Sequence, residues 1–160
     1  MRARAKWREK VSVIGAVGVS PKRSRLSLYF RTYPRQYINN IRVVQFLRDL
    51  LRQVRGNLIV VWDGGNMHKG EPIRQLLTQT RRLHLERLPA YAPEKNPPEY
   101  LWKHVKFDKM ANFCPLTVEQ IDRVAIGHMR RAAKCQERIR TFIKQSKLPG
   151  LLRHLKSEDR

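Results

Sequence analysis

The sequence predicts an α/β domain built on a mixed sheet, and three features of its 160 residues carry that expectation. Segments of strand character alternate with segments of helical character, in the order strand, strand, helix, strand, helix, strand and then helices. Such alternation lays helices against a sheet with parallel neighbours. The length suits one domain with a sizeable core and leaves little room for two. A hydrophobic content of 41% supports a packed interior rather than a disordered chain.

Along the chain, Val11, Val13, Val17 and Val19 share one parity, a strand pattern. A turn over Pro21–Ser24 leads to Leu26, Leu28 and Phe30, which alternate with Ser27, Tyr29 and Arg31, so the two strands form a hairpin. Arg2, Arg4, Lys6, Arg8 and Lys10 alternate as well and extend the first strand as a basic edge. Asn39 or Asn40 caps a helix carrying Val43, Leu47, Leu50 and Val54, with Gly56 at its C-terminal cap. The unbroken run Leu58-Ile59-Val60-Val61-Trp62 reads as a central strand buried on both faces. Pro72 opens a helix with Ile73, Leu76 and Leu77, and Leu83 and Leu85 share one face of the next strand. After a loop from Pro89 to Pro93, Asn96 caps a helix that has Pro97 at its first position. Thr117 and Gln120 make a capping box for a helix reaching about Lys134, and a basic helix from Gln136 to Gln145 follows. The domain is expected over residues 1–152, with 153–160 as a basic tail. Trp62, Trp102, Phe107 and Phe142 are assigned to the core, and Tyr91 to an exposed position on the loop.

Charge narrows the function classes. Thirty-four Lys and Arg against thirteen Asp and Glu give +21 and a pI near 11.1. A compact domain repels itself at that charge, and a polyanionic partner relieves the repulsion; a ribosome-associated or solubilising surface shares the composition. The planar fork of Arg suits phosphate. A membrane surface is disfavoured because no basic segment carries an exposed Trp/Leu face, and no apolar run approaches the ~20 residues that span a bilayer. The basic first ten residues precede no signal-peptide apolar region, so a soluble cytoplasmic protein is expected. Cys114 and Cys135, with no CxxC, support neither a disulfide framework nor a zinc site and read as reduced structural thiols; His104 and His128 complete no ligand set with them.

Two segments carry chemistry. Val60-Val61-Trp62-Asp63-Gly64-Gly65-Asn66-Met67-His68 puts a carboxylate at the C-terminal end of a buried strand, where open α/β sheets hold ligands, and its glycines leave room for substrate backbone. An isolated Asp there is ordinarily a turn cap. The second segment, Leu88-Pro89-Ala90-Tyr91-Ala92-Pro93-Glu94-Lys95-Asn96-Pro97-Pro98-Glu99-Tyr100-Leu101-Trp102, sets Glu99 in the first turn of a helix, a position otherwise explained by dipole compensation. Their conjunction resembles the insertion-sequence branch of the mariner-like DDE/D transposases. That family has a Trp-Asp or similar strand end, a His soon after, and a loop of the form LPxYxPxxNPxE-x-x-W. Thirty-five residues lie between Asp63 and Glu99, about the family's gap, and the resemblance covers roughly residues 11–152.

The resemblance implies an RNase H-like fold and DNA strand cleavage and transfer at mobile-element ends, with two Mg²⁺ (or Mn²⁺) ions held by carboxylates. Asp63 and Glu99 match the second and third metal-binding acids, and His68 matches the family's histidine near the second acid, as a supporting or structural residue. Lys69, Lys103 and Lys106 stand where they could grip phosphates of double-stranded DNA. Arg130, Arg131, Lys134, Arg138, Arg140 and Lys144 form a denser basic region on the last helices. A homodimer on paired ends, at the nucleoid of a prokaryotic cell, goes with the family.

Departures accompany the match. The family's first Asp belongs on a strand upstream of the hairpin, lying between the hairpin and the strand ending at Asp63. Glu9, in a basic segment with no apolar run, is no substitute. The sheet is therefore expected to lack its N-terminal central strand, leaving an apolar slot and two unpaired edges. A helix-turn-helix segment is expected to be missing too, as in a decayed fragment or the downstream half of a frameshifted product. Ala92 stands for the usual Ser, Pro98 for an aliphatic residue, and Gly65-Asn66 for a commoner small pair. A non-catalytic DNA-binding remnant is the competing reading. A host RNase H-like nuclease would not need the LPAYAPEKNPPE loop.

Overall fold

A computed structural model describes residues 10–22, 25–89 and 92–148. The basic run from Arg2 to Arg8, Glu9, Tyr91, the domain boundary at 152 and the tail 153–160 lie outside the described residues. Strands β1 (Val11–Val19) and β2 (Leu26–Pro34) form the expected antiparallel hairpin, with Val19 opposite Leu26 and Val11 opposite Pro34. Helix α1 (Asn40–Gln53) follows, then β3 (Leu58–Trp62), α2 (Glu71–Gln79) and β4 (Leu83–Arg87). Strands β3 and β4 pair in parallel across the α2 crossover, Leu58 beside Leu83 and Trp62 beside Arg87. Helix α3 (Pro97–Lys103) runs into a π-helical segment, His104–Lys109, and α4 (Val118–Ala133) and α5 (Gln136–Gln145) complete the described chain.

Among the described residues the strands form two separate two-stranded sheets, β1–β2 and β3–β4, with no pairing between the hairpin and the parallel pair, in keeping with the two unpaired edges expected of the sheet. Strand parity shows how they are layered. Ile14, Ala16 and Tyr29 of the hairpin and Leu58, Val60, Trp62, Leu83 and Leu85 of the parallel pair all pack on α1 and α2. The opposite hairpin face, with Val13, Val17, Val19, Leu26, Leu28 and Phe30, packs on α3, α4 and α5. One helical layer thus spans both sheets, while the other covers only the hairpin. Strand β3 is accordingly not buried on both faces: Ile59 and Val61 are 66% and 51% exposed.

Local signals set most element ends. Asn39 caps α1 by accepting from the Arg42 N–H. Gly56 is not its C-cap; the helix stops at Gln53, Val54 is already extended, and Gly56 takes positive φ in the turn beyond. Thr117 accepts from the Gln120 N–H, and the Gln120 side chain reaches back to the Leu116 N–H, one residue earlier than in the usual box. Asn96 precedes α3 but caps it only through its backbone carbonyl, which accepts from the Glu99 N–H. Phe107 is corrected from core to surface, 62% exposed, because the wider π turn directs His104 and Val105 inward and leaves Phe107 under the Lys106 ammonium. Cys114 and Cys135 are free but exposed, so neither is a packed structural thiol.

Candidate active site

Strand β3 delivers Asp63 one residue past its end, and the Leu88 N–H to Trp62 carbonyl bond (2.8 Å) carries the parallel pairing just beyond β4. The chain then passes through Pro89 and a 3₁₀ turn at Pro93–Lys95 into α3. The Tyr100 hydroxyl donates to the Glu94 carbonyl at 3.0 Å and ties that turn to the helix. Helix α3 is held against the hairpin where Trp102 lies over Gly15; a Cβ on that glycine would meet the indole at 2.7 Å. These supports bring Asp63 and Glu99 into one cleft of about 350 Å³, lined also by Gly64, Leu88, Pro89, Ala92, Pro93 and Asn96. The two acids are distant in sequence and come from different layers, yet both line this cleft.

Around Asp63 the contacts are specific. Its Oδ1 accepts from the Gly65 N–H at 3.0 Å and lies 3.0 Å from His68 Nε2. A 3₁₀ turn at Asn66–His68, with the His68 N–H donating to the Gly65 carbonyl at 3.0 Å, folds the imidazole back over the Trp62 ring, centroids 4.5 Å apart. Burial holds the His68 pKa below its ordinary 6.5, against the opposing pull of Asp63. In the neutral ring the proton belongs on Nε2, which faces Asp63 Oδ1, because the other tautomer would set two acceptors against each other. The His68 Nδ1 is buried with no hydrogen-bond partner. The two glycines differ: Gly64 faces open space, as expected of both, whereas the space beside Gly65 is filled by Asp63 Oδ1, 3.0 Å from a built Cβ, and by His68.

Both candidate acids present oxygen to solvent. Among the described residues, no hydrogen bond or ion pair reaches Asp63 Oδ2 or the Glu99 carboxylate. Hard oxygen donors suit Mg²⁺, which is commonly held by one or two carboxylates together with waters and substrate phosphates. The pair fits one such ion in that manner. Among the described residues no group of three or more His, Cys, Asp or Glu is placed to hold a metal.

The basic candidates stand apart from the cleft lining. Lys69 is exposed directly after His68, and Lys103 lies one turn beyond Glu99 with its ammonium 5.1 Å from the Tyr100 ring centre. Lys106 sits on the π-helical segment. Arg130, Arg131 and Lys134 are exposed at the end of α4, and Arg138 and Lys144 on α5, whereas Arg140 is half-buried. Sequence patterning did not mark Asn96, Leu88 and Pro93 as cleft residues; the proline-rich loop was the one signal available.

This geometry meets independent comparisons. The family model of the DDE superfamily endonucleases matches residues 2–115, and the chain belongs to that family. No curated protein matches it. Among solved structures, the catalytic domain of Mos1 mariner transposase is similar at TM-score 0.52 and 16% identity, covering 87% of this chain and 82% of that one. The Mos1 transposase paired-end complex with left transposon end is similar at TM-score 0.56 and 16% identity, covering 91% of this chain and 46% of the longer one. The fold is therefore RNase H-like α/β, here with its sheet in two parts. Among the described residues no helix is long and apolar enough to cross a membrane.

Proposed function

We propose that the chain is catalytic-domain material of a DNA transposase, in which Asp63 and Glu99 supply carboxylate ligands to Mg²⁺ or Mn²⁺ for strand cleavage and transfer at mobile-element ends. The observation that carries this reading is the convergence of the two acids on one cleft from a strand end and a helix start. A bound ion would supply Lewis-acid stabilisation of charge on phosphate oxygens. The protein's own part is to fix the two carboxylates, and to bring duplex DNA to them with a surface of net charge +21. Transposon-end DNA as partner is supported by the paired-end complex of the similar Mos1 protein, and a homodimer on paired ends belongs to the same proposal.

Two described acids do not make a two-ion site, so the chain alone is expected to bind DNA and metal while cutting poorly. A specific observation keeps a second reading, a non-catalytic DNA-binding remnant: no third acid or histidine joins the pair among the described residues. A nicking assay on supercoiled DNA with Mn²⁺, run beside gel-shift binding, separates the two. Under the proposal, Mn²⁺ raises DNA retention by the parent chain, and Asp63→Asn or Glu99→Gln removes that increment. DNA binding indifferent to Mn²⁺ and to both substitutions would establish the remnant. Efficient Asp63-dependent nicking would overturn the expected inactivity.

A further inference from the structure

We infer that His68 is a positioning residue for Asp63, engaging Oδ1 so that only Oδ2 is presented to the cleft as a metal ligand. The inference rests on the proposed metal role of Asp63 and goes beyond it by assigning which oxygen binds and what fixes it.

Four observations converge. First, Oδ1 accepts from the Gly65 N–H at 3.0 Å and lies 3.0 Å from His68 Nε2, so both groups crowd the oxygen a cation would otherwise approach. No described residue bonds Oδ2, and the Asp63 side chain is 56% exposed. Second, the donor is rigid. The His68 side chain is 15% exposed, stacked on Trp62 at an interplanar angle of 21°, and carried on a 3₁₀ turn. Third, a side chain that only packed on Trp62 would need no nitrogen. His68 instead buries Nδ1 without a partner, an unfavourable arrangement that a phenyl ring would avoid. The polar contact of Nε2 with Asp63 Oδ1 at 3.0 Å is the one interaction that a phenyl ring could not replace. Fourth, Gly65 leaves the space that lets its own N–H and the imidazole reach the same oxygen; a Cβ there would stand 3.0 Å from Oδ1 and 3.4 Å from His68 Cδ2.

Donors behind a ligating carboxylate orient it and commonly change metal affinity by roughly 10–100-fold when lost. Mn²⁺ itself is the probe, titrated calorimetrically into the full chain, with the melting temperature of every variant recorded alongside. His68→Phe keeps the aromatic stack and removes the donor. It is expected to weaken Mn²⁺ binding by roughly 10-fold or more while the melting temperature holds or rises. His68→Met is a second donor-free variant that serves the same purpose if the phenyl ring is not accommodated. His68→Gln keeps an N–H donor, loses the stack, and is expected to retain most of the affinity. Parent-like affinity in the donor-free variants would overturn the inference. So would a loss in His68→Gln as large as in His68→Phe, because packing rather than the hydrogen bond would then set affinity. Mn²⁺ binding by the parent that ignores Asp63→Asn would instead remove the metal site itself, and this role with it.

Discussion

His128, on α4, is faced by Arg131 of its own helix and by His104 and Lys109 of the π-helical segment; burial first, and then these positive neighbours, hold its pKa below 6.5. Between that lowered value and 6.5 the unfolded chain binds the extra proton and the folded chain does not, so stability rises with pH through this interval. The contribution is complete above 6.5 and is lost as pH falls toward the folded value. His68, lowered mainly by its burial, acts in the same direction. The melting temperature is therefore expected to fall as pH drops below about 6.5, and His128→Gln to flatten part of that slope in a pH series of thermal melts. Gly65→Ala belongs to this scale as well: the added methyl presses on Asp63 Oδ1, and Mn²⁺ affinity is expected to fall with little change in melting temperature. That Asp63 and Glu99 sit at element ends could be read from the sequence, because Gly64-Gly65 follows one and Pro97-Pro98 precedes the other; their pairing as candidate acids came only from the resemblance. The return of His68 over Trp62 could not be read that way. A three-residue 3₁₀ turn leaves no periodic trace, and whether a ring stacks or swings free depends on neighbours that only the fold supplies.

Two contacts hold elements in the places the site needs. The Gln136 side chain donates to the Leu26 carbonyl at 2.8 Å and accepts from the Leu26 N–H at 2.9 Å, standing in for a neighbouring strand at the start of β2. Gln136→Ala leaves both groups of a buried residue unpartnered and is expected to cost about 1–3 kcal/mol in urea unfolding. Gly15 lets Trp102 of α3 lie against β1, so Gly15→Ala should overpack that seam by about 1–3 kcal/mol and displace the helix that carries Glu99. Weakened Mn²⁺ binding in that variant, with Asp63 untouched, would register the displacement. Helix extents followed the sequence closely where a side-chain cap existed, at Asn39 and Thr117, and the span of α5 matched as read. Strand β3 was misjudged because Leu58–Trp62 is apolar at every position, which specifies a sheet interior without saying whether helices cover both faces. The open face is an association hazard: Val61→Lys is expected to raise solubility at unchanged melting temperature, as checked by light scattering and thermal melts.

At the scale of the whole molecule, one helical layer unites two small sheets, and the cleft lies where the strand end of the parallel pair meets the helix that packs on the hairpin. The fold class and the element order were legible from alternating patterns. The division of the sheet was legible only through the resemblance, which places a further strand between the hairpin and the strand ending at Asp63, because strand pairing depends on which edges find partners rather than on the character of any one strand. The excess of positive charge predicts DNA affinity that falls steeply with salt, by a log–log slope of about 0.9 for each phosphate contacted, measurable by titration at several salt concentrations. The central claim is that Asp63 and Glu99 share one divalent cation, and the most direct test is a Mn²⁺ titration of the parent, Asp63→Asn, Glu99→Gln and the double variant. If the ion is shared, either single substitution removes most of the affinity and the double is little worse, the non-additivity expected of groups acting on one partner. Singles that bind like the parent, or losses that simply add, would contradict a common site.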